Sequence, residues 1–407
     1  MHSFLYGLIG GILIGAAAAV LLLFSGDILG ASGIISSIAL GPASSIKDPH
    51  QHWKLVLIAT ILLTSHLFFA PEYQDKQGGL ASLSWAAYLI GGLFVGFGTR
   101  LGNGCTSGHG ICGLARLSKR SLVAVMTFMA FGIITTYLTQ QATTPFPEEV
   151  FAFLRSNPSE PIAIWDYGGA AISFVFASAA FVASAVSSST DPSANDRLKM
   201  APAAVVGTLF ATGLFVSQMV YPVYVLGFLN LGLIPQGDWD ATLMFVMGGG
   251  VTISFLSYQL IDGYSFFREG SWMPCHLTKP LTLCDGSEFC VPKNKVIDHD
   301  LVLGSVCFGI GWGVSGLCPG PAMVLASVGV SWVLVCYWPA YFVGAYLASL
   351  LQGMKAGTNS PTRTLNRADE EMQDKVVTDE AGRDHSVLTA TDNGTSGDLC
   401  LSQPLDA

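Results

Sequence analysis

Charge is what this sequence has least of. Its 407 residues include 19 Lys/Arg and 28 Asp/Glu, 12% of the chain, about half the share of an ordinary soluble protein. That shortage excludes a soluble globular fold for most of the length. The lack of any basic patch excludes nucleic-acid binding. The charge present is also uneven, since from Lys355 to Ala407 ten Asp/Glu face five Lys/Arg. The acidic balance therefore describes a polar tail, not a partner. No charged relay runs along the apolar segments and no nucleotide-binding motif occurs, so no cofactor is expected. Nine cysteines do not make a disulfide framework by position, because Cys105, Cys307, Cys318 and Cys336 sit in or beside apolar segments.

Long apolar runs take the place of charge. Segments 4–24, 53–70, 84–101, 121–140, 163–188, 200–218, 240–260, 300–316 and 331–351 reach or approach the ~20 residues a membrane span needs. The first lacks the basic start of a signal peptide and is read as a span. Its Gly7, Gly11 and Gly15 recur every fourth residue, which lets two helices approach closely. Four pieces, roughly 28–45, 105–118, 220–234 and 318–328, are too short or too broken by glycine and proline to cross. Each follows a full helix and reads as re-entrant. On that reading one side collects Lys47, Lys54, Lys119, Arg120, Arg197, Lys199, Arg268, Lys279, Lys293, Lys295 and the tail, and the other keeps only Lys76 and Arg155. The positive-inside rule makes the first side cytoplasmic, with the N-terminus outside and the tail inside, most simply at the plasma membrane.

The chain also repeats. "GGLFVGFGTRLGNGCTSG" from Gly91 lies over "GSVCFGIGWGVSGLCPGP" from Gly304, so that Gly96 meets Gly309, Gly98 meets Gly311 and Cys105 meets Cys318. A weaker match pairs Ser25–Gly33 with Ser217–Gly227. An odd number of crossings between equivalent helices inverts the second copy, the usual construction of transporters that hold cargo near the midplane. The expected fold is an all-α integral membrane protein of about nine transmembrane helices plus four short re-entrant helices in two inverted repeats. Residues 1–140 form the first repeat, 141–199 a linker with one span, 200–352 the second repeat and 353–407 a disordered cytoplasmic tail.

Cys105 and Cys318 each precede a short helix start, "TSGHG" and "PGPA". Helix N-termini offer unpaired N–H groups and a positive dipole end, so a facing pair attracts an anion. A buried thiol is a weak, neutral S–H donor, and weak serial contacts suit conduction. Small oxidised sulfur anions such as thiosulfate fit better than sulfate or phosphate. A lone buried cysteine is usually a small hydrophobe, which is the reading for Cys307, Cys336 and, more than a pathway role, Cys112. Cys275, Cys284 and Cys290 match no zinc spacing, so no metal is expected. Thr106, Ser107 and Gly320 join the two cysteines as candidate pathway residues. Arg100 and Arg116 either attract the anion or bond the open carbonyls of broken helices. His109 reads as a hydrogen-bonding strut.

"GFGTRLGNGCTSGHGICGLARLS" (Gly96–Ser118), "GSVCFGIGWGVSGLCPGPA" (Gly304–Ala322) and "SQMVYPVYVLGFLN" (Ser217–Asn230) resemble the motifs of the YeeE/YedE family of sulfur-transport membrane proteins. The resemblance covers most of 1–352 and implies thiosulfate uptake. In that family the cargo passes between cysteines by S–H···S contacts through an hourglass-shaped pore, and here Cys105 and Cys318 match. Two departures stand out: no cysteine precedes Cys105, and Asp27 stands where a basic residue is common. The alternative function is a membrane sulfur carrier, sulfurtransferase-like, passing persulfide sulfur to a cytoplasmic acceptor protein. It needs an exposed, activated thiolate.

Overall fold

The computed structural model describes residues 3–76, 83–140, 199–261, 277–281, 289–292 and 294–358. The expected span 163–188, Cys275, Cys284 and the tail beyond 358 lie outside them. The described residues are almost wholly helical, with one isolated bridge between Ile261 and Leu277. The long helices are α1 (Ser3–Val20, prolonged by a wide turn to Ser25), α4 (His52–Lys76), α5 (Trp85–Leu101), α7 (Lys119–Gln140), α8 (Met200–Val216), α10 (Thr242–Gln259), α11 (His299–Ser315) and α13 (Trp338–Thr358, led in by Val333–Tyr337). Between them sit short helices: α2 (Ala31–Leu40), α3 (Pro42–Lys47), α6 (Thr106–Gly113), α9 (Pro222–Leu229) and α12 (Pro319–Ser327). Five helical stretches among the described residues are long and apolar enough to cross a membrane: Phe4–Ser25, His52–Phe69, Lys119–Thr139, His299–Ser327 and Val333–Lys355. The protein is an integral membrane protein. Eight of the nine expected segments coincide with helices; five stretches among the described residues meet the length and composition of a span, which leaves the nine-span count an expectation.

Left-handed residues make the breaks. Gly26, Asn103, Gln218 and Gly316 have φ of 76°, 56°, 61° and 65°, and each stands just after a long helix and before a short one. An L-residue in that conformation stops a right-handed helix, so the chain turns sharply inward. New starts are capped where the sequence allows. Ser84 Oγ accepts from the Ala87 N–H at 3.3 Å, and Asp298 Oδ1 accepts from the Leu301 N–H at 2.9 Å.

Small residues set how the long helices meet. A methyl built on Gly7, Gly11 or Gly15 would collide with Thr242, Val246 or Gly250 in turn, so α1 and α10 run parallel in contact. Gly91 meets Ser315 while Gly98 meets Phe308 and Gly304, so α5 and α11 are antiparallel. Gly92 and Gly96 meet Tyr337 and Tyr341, making α5 and α13 parallel. The six principal contacts are α1 with α8 and α10, α4 with α8, α5 with α11 and α13, and α7 with α11. Exchanging α1, α4, α5 and α7 for α8, α10, α11 and α13 returns the same six.

These directions put the ends of each short excursion together. Residues 25 and 52, and likewise 101 and 119, lie at one end of the bundle; 216 and 242, and 315 and 333, lie at the other. Ion pairs gather at the first end: Lys199 with Asp27 at 2.8 Å, Arg120 with Asp298 at 3.3 Å, and Lys355 with Asp300. Residues 289–292 and 294–296 strap this end, accepting from Arg116 at the Pro292 carbonyl and from Arg120 at the Val296 carbonyl.

Candidate functional site

The short helices α6 and α12 enter from opposite ends and meet N-terminus to N-terminus. Cys105 is the N-cap of α6 and Cys318 that of α12, each in extended backbone and neither spending its side chain on a cap. The first-turn N–H groups of each helix have no intrahelical acceptor. In α12, Pro319 and Pro321 carry no N–H, so Gly320 carries the one N–H among the first three residues of that turn. In α6 the corresponding groups belong to Thr106, Ser107 and Gly108.

Side chains join the two ends. The Thr106 hydroxyl donates to Cys318 Sγ at 3.4 Å, and Cys105 Sγ shares a hydrogen bond with Ser107 Oγ at 3.2 Å. Ser107 Oγ also accepts from the Ala31 N–H at 3.3 Å, which brings the start of α2 to the same point. The Cys105 and Cys318 residues are 1% and 5% exposed. Thr106, Ser107, Cys318 and Gly320 line one cavity of about 20 Å³ together with Met219, Met247 and apolar side chains of α1, α8 and α10. That is room for roughly one water molecule.

His109 stands behind the cysteines as a strut. Its Nδ1 pairs with Ser121 Oγ at 3.1 Å and its Nε2 with the Gly102 carbonyl oxygen at 3.2 Å, tying the end of α5 to the start of α7. Gly104 leaves space for the ring, since a methyl there would lie 2.5 Å from His109 Cδ2. His109→Leu is expected to orphan two buried groups at about 1–3 kcal/mol each. Thermal unfolding in detergent measures the loss, and His109→Gln, which both donates and accepts, should recover part of it. Unchanged stability in His109→Leu would refute the strut.

The two arginines are elsewhere engaged. Arg100 Nε donates to Ser349 Oγ of α13 at 2.9 Å, and Arg116 Nη1 to the Pro292 carbonyl at 2.7 Å. Neither lines the cavity. Cys112 Sγ donates to the Leu29 carbonyl at 3.6 Å. Cys105, Cys112, Cys307, Cys318 and Cys336 are free thiols, and Cys290 is disulfide-bonded. Sequence reasoning missed Met219 and Met247, which look like ordinary apolar residues. It also missed Tyr337 and Tyr341. Tyr337 Oη donates to the Leu317 carbonyl beside Cys318 at 3.3 Å, and Tyr341 Oη bonds Ser36 and Thr99 at 3.3 and 3.4 Å.

Comparison with known proteins meets this geometry from outside. Residues 2–135 match a family described as "Sulphur transport", and residues 198–359 match a family of unknown function, DUF6691. A probable transporter of Xylella fastidiosa (strain Temecula1) is 36% identical over 154 residues, 38% of this chain and 87% of that relative. A second probable transporter of the same strain is 38% identical over 135 residues, 33% of this chain and 94% of the relative. No solved structure matches. With a sulphur-transport profile over its first unit, relatives covered almost end to end and thiols at paired helix starts, the chain belongs to the YeeE/YedE family of sulfur-transport membrane proteins.

Proposed function

We propose that the protein takes up thiosulfate, or a closely related small sulfur-containing anion, along a central path at Cys105 and Cys318. The observation that carries this is the meeting of two helix N-termini, each headed by a buried free thiol and linked by the Thr106–Cys318 bond. Open N–H groups and dipole ends there favour an anion without a full positive charge. The thiols add weak, soft contacts from which cargo can leave. Cys318, Thr106, Ser107 and Gly320 line the cavity, Cys105 adjoins it through its bond to Ser107, and His109 holds α6 in place. Since the cavity holds about one water, a multi-atom anion passes only when the surrounding helices part.

The reading places α2, α6, α9 and α12 as re-entrant helices in two inverted repeats, 1–140 and 200–352, with 141–199 supplying a ninth span. Its support is that the long helices flanking each short one run in opposite directions, both packed on one shared partner helix, and that their contacts have exchange symmetry. Basic residues at the ion-paired end favour a cytoplasmic position for it, with the tail inside. A glycan on Asn393, in the tail's acceptor sequence Asn393-Gly394-Thr395, would put the tail outside and refute that orientation.

A sulfurtransferase-like route requires a thiolate that a carrier can reach, and burial of both sulfurs speaks against it. The test is entry of labelled thiosulfate into cells lacking their own uptake system. The intact protein is expected to support entry that excess sulfate does not suppress. No entry above empty cells, or equal competition by sulfate, would refute the proposal.

A further inference from the structure

The two halves are built alike but finished differently on either side of the thiol pair. A methyl on Gly15 of α1 would lie 2.7 Å from the Gly250 oxygen and 2.9 Å from Ile253 Cβ. One on Gly207 of α8 would lie 2.8 Å from both the Leu57 oxygen and Thr60 Cβ. Gly15 and Gly207 thus hold the same place in their halves, and so do Leu57 and Gly250, and Thr60 and Ile253. Counting back along α4 and α10 from those pairs sets Lys54 where Met247 stands. The left-handed Gly26 and Gln218 fix a second correspondence, and the residues after them are Asp27 and Met219.

Met219 and Met247 line the cavity beside Cys318. Asp27 and Lys54 therefore hold the related place on the opposite side of the thiols, toward the ion-paired end. There the chemistry is reversed. Lys54 is 9% exposed and makes one long hydrogen bond, 3.5 Å, to Ser37 Oγ. Its ammonium stands 5.8 Å from the Trp53 ring centroid. The charged groups around it are Asp27, Asp48 and Lys199, yet Asp27 is held by Lys199 at 2.8 Å. Lys54 itself makes no ion pair among the described residues. An ammonium brings three donors, and a buried one without a close partner is costly. Such a group is explained by a ligand that neutralises it part of the time.

We propose that Lys54, with the Ser37 hydroxyl beside it, is an anion station on the ion-paired side of the thiol pair. It donates hydrogen bonds to the oxygens of the sulfur anion that the cysteines pass to or from it. The inference rests on the reading of Cys105 and Cys318 as the path's centre. Asp27 has a role in it: a carboxylate close by weakens the hold of Lys54, so the anion does not stall. The pathway is then asymmetric, soft thioethers on one side and a tempered cation on the other.

The experiment compares the intact full-length protein with Lys54→Met, which installs the residue of the related position, and with Lys54→Arg and Cys105→Ser. Thermal unfolding in detergent is followed against thiosulfate, sulfate and selenate, alongside thiosulfate uptake in cells. Lys54→Met should unfold at a higher temperature than the parent without anion, because it removes a buried unpaired charge. It should also require about tenfold or more anion for the same stabilisation and lose uptake by a similar factor. Lys54→Arg should keep most of both. Anion response and uptake within twofold of the parent in Lys54→Met would overturn the station, even if Cys105→Ser abolishes uptake and the central path stands. If the parent takes up no thiosulfate, the function proposed above fails. A sulfate or selenate response that Lys54→Met removes would still uphold the station, and the lack of one would overturn it.

Discussion

Cys318→Ala is expected to reduce thiosulfate uptake about tenfold, because a hydrogen bond to a charged group contributes about 1.5–3 kcal/mol and a thiol, a weak donor, stands at the low end. The fold should survive the change. Cys318 caps nothing with its side chain, and the one side-chain bond it accepts comes from the Thr106 hydroxyl, whose loss costs about 1–3 kcal/mol. Cys105→Ala should behave alike, though Ser107 loses a partner there. The serine variants separate two ideas. A hydroxyl donates more strongly but is smaller and harder, so Cys318→Ser should bind oxygen-rich anions better and pass thiosulfate worse. If Cys318→Ser transports as the parent does, the site needs only a donor and sulfur has no special part. If Ala at both positions leaves uptake unchanged in expressed protein, the cysteines are packing and the central path is refuted. A persulfide trapped on Cys105 during uptake would instead bring back the sulfur-carrier reading.

How far the sequence led depended on which physical signal each feature leaves. Helices announced themselves by apolar length, so 84–101 and 300–316 fall within a residue or so of α5 and α11. The two cysteine loops were legible because glycine and thiol recur in register at matched places. The correspondence of the outer helices was nearly invisible. Gln218 takes the left-handed conformation that Gly26 takes in the other half, and glutamine carries no sign of it. Met219 and Met247 resemble any apolar residue in an apolar helix, and Lys54 looks like an ordinary interfacial lysine that ends a span. Its burial and its relation to Met247 emerge only once helix contacts fix the alignment of the halves. Sequence proximity also misleads: Arg100 and Arg116 lie close to Cys105 in the chain, but helical geometry turns their guanidinium groups to Ser349 and Pro292.

Gly96→Ala should cost more stability than any side-chain deletion in the site. The added methyl would lie 2.0 Å from the Tyr341 carbonyl oxygen and 2.7 Å from its carbonyl carbon. Both are backbone atoms of a neighbouring long helix, so no rotamer relieves the clash and α13 must move as a body. Overpacking of this kind costs about 1–3 kcal/mol where side chains can yield, and more where they cannot. Gly309 is the matched position in the second half, where a methyl would lie 2.6 Å from the Phe128 oxygen, so Gly309→Ala should be damaging but milder. Gly248 is the control: nothing lies within 4 Å of a methyl there, and alanine in mid-helix should add up to about 1 kcal/mol of stability. Thermal unfolding of the purified variants, with folded yield as a second readout, should rank Gly96→Ala below Gly309→Ala and both below the parent, with Gly248→Ala at or above it. Equal stability of all three would mean that the close backbone approach of α5 to α13 is not what holds these helices, and with it would fall the shared frame that positions α6 and α12 against each other.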